Sequence, residues 1–461
     1  MRTFLPENLI AFSESFKAPL YVVGGSVRDF LCGFPVGKKS DWDICSPASE
    51  DAVLNAAREA NFTVRNVYRN TGTVKLTDGE GIGYEFTRFR SDKYVRGVHT
   101  PSSIEFTSDM DIDARRRDFT CNAVYYDVKN GKFCDPLGGI DDILNGRLKT
   151  VAPAKKVFGE DGLRLLRLCR FASELGFSPD EDCLNGAKEH AALICDIVPE
   201  RIFGELCAIL RADEKHGVKD GAYRGLCLMR ETGILTHVLP ELALGDGMKQ
   251  RADHHDYDVL EHSFRCVKYA PVPLRFAALL HDVGKPFCYL RDGNFYYHPK
   301  EGARIAREIL LRLKAPTRLI EETEMLVSTH MRDLDCKMKE AKVRRALVGY
   351  GERLPLLLQL KQADFSACKD DLSPAPTVVK WNRILTQMRK EGVPFRLSEL
   401  NVKGNELISA GISPSCVGKI LHELLRLCAV DATLNQKEKL IARGRALFAE
   451  LQNAAAKGED A

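Results

Sequence analysis

A chain of 461 residues is too long for one hydrophobic core, so three or four domains are expected. With 44% hydrophobic and 28% charged residues it reads as a folded soluble protein, and no run is apolar enough to span a bilayer. A net charge of +3 excludes a global basic field, so a nucleic-acid partner has to be met by local clusters of Lys and Arg.

The N-terminus, MRTFLPENLIAF, has no long apolar core and no cleavage site, which argues against a secretory signal. The 15 cysteines are an odd number with no CxxC pair, a pattern of reduced thiols and a cytoplasmic chain. Residues 1–150 read as mixed α/β. PLYVVGG is a short buried strand and SVRDFLCG a helical turn. DWDICS, TVKLT and YEFTRFR are further strands, and AVYYDV with KFCDP forms a later pair. Residues 151–250 turn helical, 251–375 are helical and histidine-rich, and 376–461 form a helical tail ending in a disordered AAAKGEDA.

The stretch KKSDWDIC places Asp41 and Asp43 two residues apart, on one face of a strand. Two adjacent carboxylates repel, and a cation between them removes that cost. Just upstream, Gly24 and Gly25 follow the apolar strand and precede a helix with Arg28. Such a junction lets backbone N–H groups approach an anion. Hard oxygen ligands beside a phosphate cradle suit Mg²⁺, which activates an attacking hydroxyl and steadies a pyrophosphate leaving group. The segment PVGKKS before Asp41 reads either as a loop extension or as two lysines placed near incoming phosphates. Glu85 in YEFTRFR is either a third carboxylate on a neighbouring strand or a solvated strand-edge glutamate.

GGSVRDFLCG followed by DWDI resembles the nucleotidyltransferase motif of the class II tRNA nucleotidyltransferase and poly(A) polymerase family. RRDFTCNA (116–123), DPLGGIDDILNGRLKTV (135–151), EDGLRLLRLCRFASELGF (160–177) and VPERIFGEL follow in family order. The resemblance implies an α+β protein: a small nucleotidyltransferase head with a mixed β-sheet and helices, then an all-α neck, HD-type domain and tail. It implies that Asp41 and Asp43 hold Mg²⁺ and that Gly25 and Arg28 contact nucleotide phosphates. Arg117, Asp118 and Asn122 would hold the triphosphate and ribose. The expected activity is template-independent addition of C, C and A to the 3′ end of tRNA from CTP and ATP. The alternatives are a poly(A) polymerase, or an RNA-end phosphohydrolase with a tRNA-binding head. No arginine-rich element replaces the plain strand at GYEFTRFRSDKY, and RSDKYVRGVHTP (90–101) resembles the flexible loop that accompanies the final A step. No protein partner and no membrane are implied.

Glu160, Asp161, Arg164, Arg167 and Arg170 are spaced to share one broad face of a single helix. Such spacing often marks a surface with ion pairs. Cytosine and adenine, however, both present an amino donor beside a ring-nitrogen acceptor. Asp161 can accept from the first and Arg164 can donate to the second, while U and G leave both groups unpaired, which is costly. The family resemblance gives the same assignment, with Arg167 and Arg170 supporting the triphosphate or the helix.

Six of the eleven histidines lie between His254 and His330. His262, then His281-Asp282, then Asp364 reproduce the order H…HD…D and resemble the HD superfamily of metal-dependent phosphohydrolases. Imidazoles with carboxylates suit a transition metal such as Mn²⁺ or Ni²⁺. His298 and His330 lie in the same window, and His254 and His255 read as surface residues. In the tail, Lys403, Lys419 and Arg426 are candidates for phosphate contacts, the alternative for each being a solvated helix charge.

Overall fold

The computed structural model describes residues 4–38, 40–93, 102–253 and 255–456. It forms two compact units, Met1–Leu244 with Ile309–Ala315, and Gly245–Glu308 with Pro316–Ala461. Among the described residues the first unit opens with nine strands: β1 (Tyr21–Val23), β2 (Trp42–Ser46), β3 (Thr63–Tyr68), β4 (Thr73–Thr77), β5 (Gly83–Arg88), β6 (Arg90–Lys93), β7 (Ser103–Phe106), β8 (Tyr125–Asp127) and β9 (Lys132–Cys134). Seven form one sheet in the order β3-β4-β5-β2-β1-β8-β9, and β6 pairs with β7 in a separate ribbon. β2 and β5 run parallel and the other pairs antiparallel, so the sheet is mixed as expected.

The apolar YVV of β1 sits in the middle of the sheet because both faces of it are covered: Val22 and Val23 are fully buried. Val23, Cys45, Phe89, Ala114 and Tyr125 pack into a core that also takes Val151 and Val157. Residues directly opposite in a ladder share a face. The register therefore lays Lys75, Glu85, Asp43, Val23 and Tyr125 in one row across five strands. Helices follow from residue 154 onward, the rest of the unit being helical apart from a short two-strand pairing.

Among its described residues the second unit has helices and no strand. Its core includes the helices Val259–Tyr269, Arg275–Leu280, Thr317–Thr329 and Leu354–Lys369. Arg275–Leu280 is buried along its whole length, and His281 follows at its end. The last helix, Lys437–Ala456, runs three residues into the segment expected to be disordered, and 457–461 lie outside the described residues. Among the described residues no helix is long and apolar enough to cross a membrane.

Candidate functional site

The head site is built on the cross-strand row. Asp43 and Glu85 are opposite neighbours on β2 and β5, and they line a cleft of about 220 Å³ with Val23, Thr87, Arg90 and Arg117. Glu85 lies on a central strand, not at an edge, and Lys75 is 3.2 Å from it. Asp41 lies just before β2, exposed, and its carbonyl accepts from Ser26 Oγ. Burial pushes the Asp43 carboxyl above its usual range; Arg117 opposes this, while Glu85 and Asp41 add to it. Neighbouring carboxylates that make the charged form of Asp43 costly are the donor set a hard divalent cation relieves, so these residues fit one.

Gly24 is the residue whose missing side chain the site needs. Its φ is +82°, and a Cβ there would meet Asp43 Oδ2 at 3.0 Å. Gly25 opens the helix Gly25–Leu31, where a Cβ would make only an ordinary contact, 3.6 Å from Arg28 Nη2. In the PVGKKS loop, Lys38 pairs with Glu80 and Trp42 Nε1 donates to Gly37 O at 3.3 Å, which pins the extension to the sheet. Lys39 and residues 94–101 of the expected flexible loop lie outside the described residues.

A mostly buried polar chain joins four of the expected residues. Arg28 Nη1 donates to Asn122 Oδ1 at 2.7 Å, and Asn122 Nδ2 donates to Asp118 Oδ1 at 3.1 Å. Asp118 Oδ2 accepts from Arg167 Nε at 2.7 Å. Arg28 also donates to Asp29 at 2.6 Å, and it is almost wholly buried. Its guanidinium, with those of Arg167 and Arg170, stacks around one ring, Phe171. Burial pushes the Asp118 carboxyl up, but Arg167 and the hydrogen bond from Asn122 outweigh it and hold the group below its usual range. Four candidates from distant parts of the chain thus form one network. Sequence reading passed over Asp113, fully buried, which accepts from Tyr125 OH at 2.7 Å, Arg116 Nε at 2.7 Å and Arg117 Nη2 at 3.2 Å. The signal available was its i,i+4 spacing from Arg117.

The single helix expected over 160–177 is two. One helix, Ala154–Glu160, ends before Asp161, and the next is Leu163–Leu175. Asp161 has extended backbone, φ −146° and ψ 108°. A Cβ at Gly162 would meet Leu193 O at 2.6 Å, so the chain passes too close to a neighbour for a side chain. Glu160 and Asp161 therefore do not share a helical face with the arginines. Asp161 Oδ1 instead accepts from Leu163 N at 3.0 Å at the start of the second helix. Arg164 is buried and donates to Val157 O at 3.0 Å, Glu160 Oε2 at 2.9 Å and Arg116 O at 2.8 Å. Arg170 pairs with Glu205 at 2.6 Å.

The histidine-rich unit brings all four expected residues together and adds two. His262 Nε2 lies 3.1 Å from His281 Nε2 and 3.0 Å from Asp364 Oδ1. Asp282 Oδ2 is 3.3 Å from His281, while Oδ1 is 3.3 Å from His298 and 3.7 Å from His330. Asp282 thus stands between two groups of ligand atoms. His281, His298 and His330 each set Nδ1 on the carbonyl three residues back, at 2.8, 2.8 and 2.7 Å. A carbonyl only accepts, so Nδ1 is the donor in each and Nε2 is the nitrogen turned to the centre. His298 Nε2 and His330 Nε2 then face each other at 3.3 Å, an arrangement that fits a cation between them. Burial pushes His330 down to about 4, keeping it neutral for ligation. A cavity of about 690 Å³, lined by Asp282, Lys285, Lys361 and Asp364, opens beside the centre. His255, expected on the surface, is half-buried with its ring 4.8 Å from that of His262; Asp256 N–H donates to Cys368 O at 3.0 Å and draws the segment inward. His254 lies outside the described residues.

In the tail, Lys403, Lys419 and Arg426 are exposed. Arg426 lines a cleft of about 970 Å³ with Arg332, Lys337, Lys339, Lys342 and Arg345.

Residues 20–149 match the family described as the poly A polymerase head domain, and 176–244 the probable RNA and SrmB-binding site of polymerase A. Residues 259–364 match the HD domain. The chain is 30% identical to the A-adding tRNA nucleotidyltransferase of Deinococcus radiodurans, over 87% of this chain and 90% of the relative. It is 29% identical to the CCA-adding enzyme of Geobacillus stearothermophilus, over 92% and 91%. The structure resembles the Bacillus stearothermophilus CCA-adding enzyme in complex with CTP, with a TM-score of 0.67 at 25% identity, covering 98% of this chain and all of that one.

Proposed function

This chain belongs to the tRNA nucleotidyltransferase and poly(A) polymerase family, and from that premise we propose that it adds C, C and A to the 3′ end of tRNA without a template. CTP and ATP are the substrates and pyrophosphate the product. The observation that carries the reading is the in-register pair Asp43 and Glu85 beside Gly24, with Arg117 over them. The test is to incubate tRNA lacking its 3′ end with CTP, with ATP, and with both. Growth that stops after three residues supports CCA addition. Unlimited A growth would make the chain a poly(A) polymerase, and A added only to a CC-ended tRNA would make it A-adding.

Both domain types imply divalent-metal dependence. We assign Mg²⁺ to the head, held by Asp41 and Asp43 with Glu85 adjacent, where it would act as a Lewis acid on the transferring phosphoryl group. Arg117 faces the same cleft with charge for the triphosphate, and Asp113 holds its guanidinium in place. Asn122 and Asp118 hold the ribose side, and Arg28, Arg167 and Arg170 brace them. Gly25 N–H, at the start of its helix, would donate to an incoming phosphate. The division into a catalytic head (1–150), a base-selecting neck (151–250), an HD-type domain (251–375) and a tRNA-binding tail (376–461) belongs to this proposal, as does a cytoplasmic location.

Base choice falls to Asp161 and Arg164. Arg164→Ala removes the donor for the ring nitrogen of C or A and stops penalising the ring N–H of U or G. Losing a hydrogen bond to a charged group costs roughly 1.5–3 kcal/mol, or about ten- to a hundred-fold in discrimination. Single-nucleotide addition with each of the four triphosphates should show C and A slowed and U or G raised in proportion, with Asp161→Ala acting the same way. Equal loss for all four would assign both residues to scaffolding, in keeping with their protein contacts.

For the second centre we propose Mn²⁺- or Ni²⁺-dependent phosphoester hydrolysis, with His262, His281, Asp282 and Asp364 holding metal and Lys285 and Lys361 facing the substrate cavity. The double variant His281→Ala, Asp282→Ala is expected to keep nucleotide addition while phosphate release from cyclic or terminal phosphoesters vanishes. Wild-type protein that releases no phosphate with any transition metal would leave this unit a scaffold.

A further inference from the structure

Three of the four imidazoles around Asp282 anchor Nδ1 on a backbone carbonyl; His262 does not. Its Nε2 is committed to the centre, at 3.0 Å from Asp364. Its Nδ1 is fully buried with no hydrogen-bond partner among the described residues. The side chain itself is 0% exposed. A metal-binding imidazole ordinarily secures its second nitrogen, because that fixes the tautomer and raises ligand basicity. A buried nitrogen with nothing to bond is costly, and here one is retained at the heart of the unit.

What stands beside it is another ligand set. His255 packs edge-on against the His262 ring at 4.8 Å, and its own Nδ1 is also buried without a partner. Cys368 follows Asp364 by one helical turn, on the same face of the helix Leu354–Lys369. One ligand atom from each of His255, His262 and Cys368 lies within 4.8 Å of the other two. The arrangement is held in place: Asp256 N–H bonds Cys368 O at 3.0 Å, and Tyr257 OH bonds Asp370 at 2.7 Å.

The geometry points to a second, distinct metal site in which His255, His262 and Cys368 bind a borderline-soft divalent ion, zinc by its donor preference, with the His262 ring bridging it to the Asp282 centre. One thiolate and two imidazoles match zinc far better than Mg²⁺. The Cys368 thiol and the His262 ring each release a proton to solvent as the metal bonds form, leaving a thiolate and an imidazolate that bridges the two centres. His255 and Cys368 both line the 690 Å³ cavity, so the fourth position opens toward it. A site with three protein ligands and an open position is the catalytic type rather than the closed structural type. The two centres then face one substrate space.

The test uses the full-length chain, stripped with chelator and titrated with Co²⁺ as a spectroscopic stand-in for zinc. A thiolate-to-cobalt charge-transfer band should appear in the near ultraviolet. It should be lost in Cys368→Ser and in His255→Gln, each of which should also bind about one equivalent less Zn²⁺ by elemental analysis. Cys416→Ser should keep the band. Asp282→Ala should keep it too, so failure of the hydrolytic centre and failure of this site give different results. No band in wild type, a band that survives Cys368→Ser, or unchanged zinc content in that variant would overturn the assignment.

Discussion

Replacing Asp43 with alanine is expected to cut incorporation of both C and A by more than about 1,000-fold while tRNA binding persists. A bound cation contributes several kcal/mol to stabilising charge on a transferring phosphoryl group, and each ~1.4 kcal/mol is tenfold in rate. Asp43 has no substitute in the row: its neighbours are Val23 on one side and Glu85 on the other, and Glu85 is already paired with Lys75. Asp41→Ala should behave alike. Asp43→Asn separates charge from shape, since it keeps the volume and removes the carboxylate. Single-nucleotide addition with Mg²⁺, beside a gel-shift measurement of tRNA affinity, reads both effects. Near-normal incorporation by either aspartate variant would sink the two-carboxylate reading.

The second large effect is on stability. Asp118 is 6% exposed and is the hub between Asn122 and Arg167. Removing Asp118 leaves the buried Asn122 amide unpaired and the Arg167 guanidinium, 35% exposed and so partly screened by water, without its partner, a loss of roughly 1–3 kcal/mol. Asp118→Ala should therefore lower Tm by several degrees. The sign with pH follows from the network holding the Asp118 carboxyl below its usual range. Its stabilisation is present in full above the ordinary value of about 3.9 and is lost as pH falls through the lower folded value. Thermal unfolding of wild type should show an acid-side loss of stability beginning near pH 4, and Asp118→Asn should lack that component. Identical Tm–pH profiles for the two proteins would show that Asp118 is not a charged hub.

The two aspartates were legible as a pair because a spacing of two residues is a local fact, although β2 begins at Trp42 and leaves Asp41 just outside the strand. That Glu85 lies opposite Asp43 was not, because the parallel pairing of β2 with β5 joins segments about forty residues apart and only the register decides it. The break at Asp161–Gly162 was hidden for the opposite reason. Apolar residues continue at helical spacing on both sides of it, and the cause is the approach of Leu193, which no local pattern contains. The order of His262, His281-Asp282 and Asp364 was readable as a motif. His298 and His330 were visible as residues but not as ligands, since helix packing alone brings them to Asp282. His255 sits in a charged stretch and looks solvated until the hydrogen bond between Asp256 and Cys368 folds it inward.

The buried chain from Arg28 through Asn122 and Asp118 to Arg167 also bears on how the protein is made. Its members are separated by up to 139 positions, so it closes only when the second helix of the neck has been synthesised. Val151 and Val157 complete the head core, and Phe171 covers Phe119 with ring centroids 5.7 Å apart. A nascent chain released at residue 150 would carry Asp118 without its counter-charge and Phe119 without its cover. Contacts of such long sequence separation delay folding. The catalytic sheet and the helix Leu163–Leu175 are therefore one cooperative unit. The ribosome must deliver the chain through Leu175, well past the end of β9 at Cys134, before this part of the head can set.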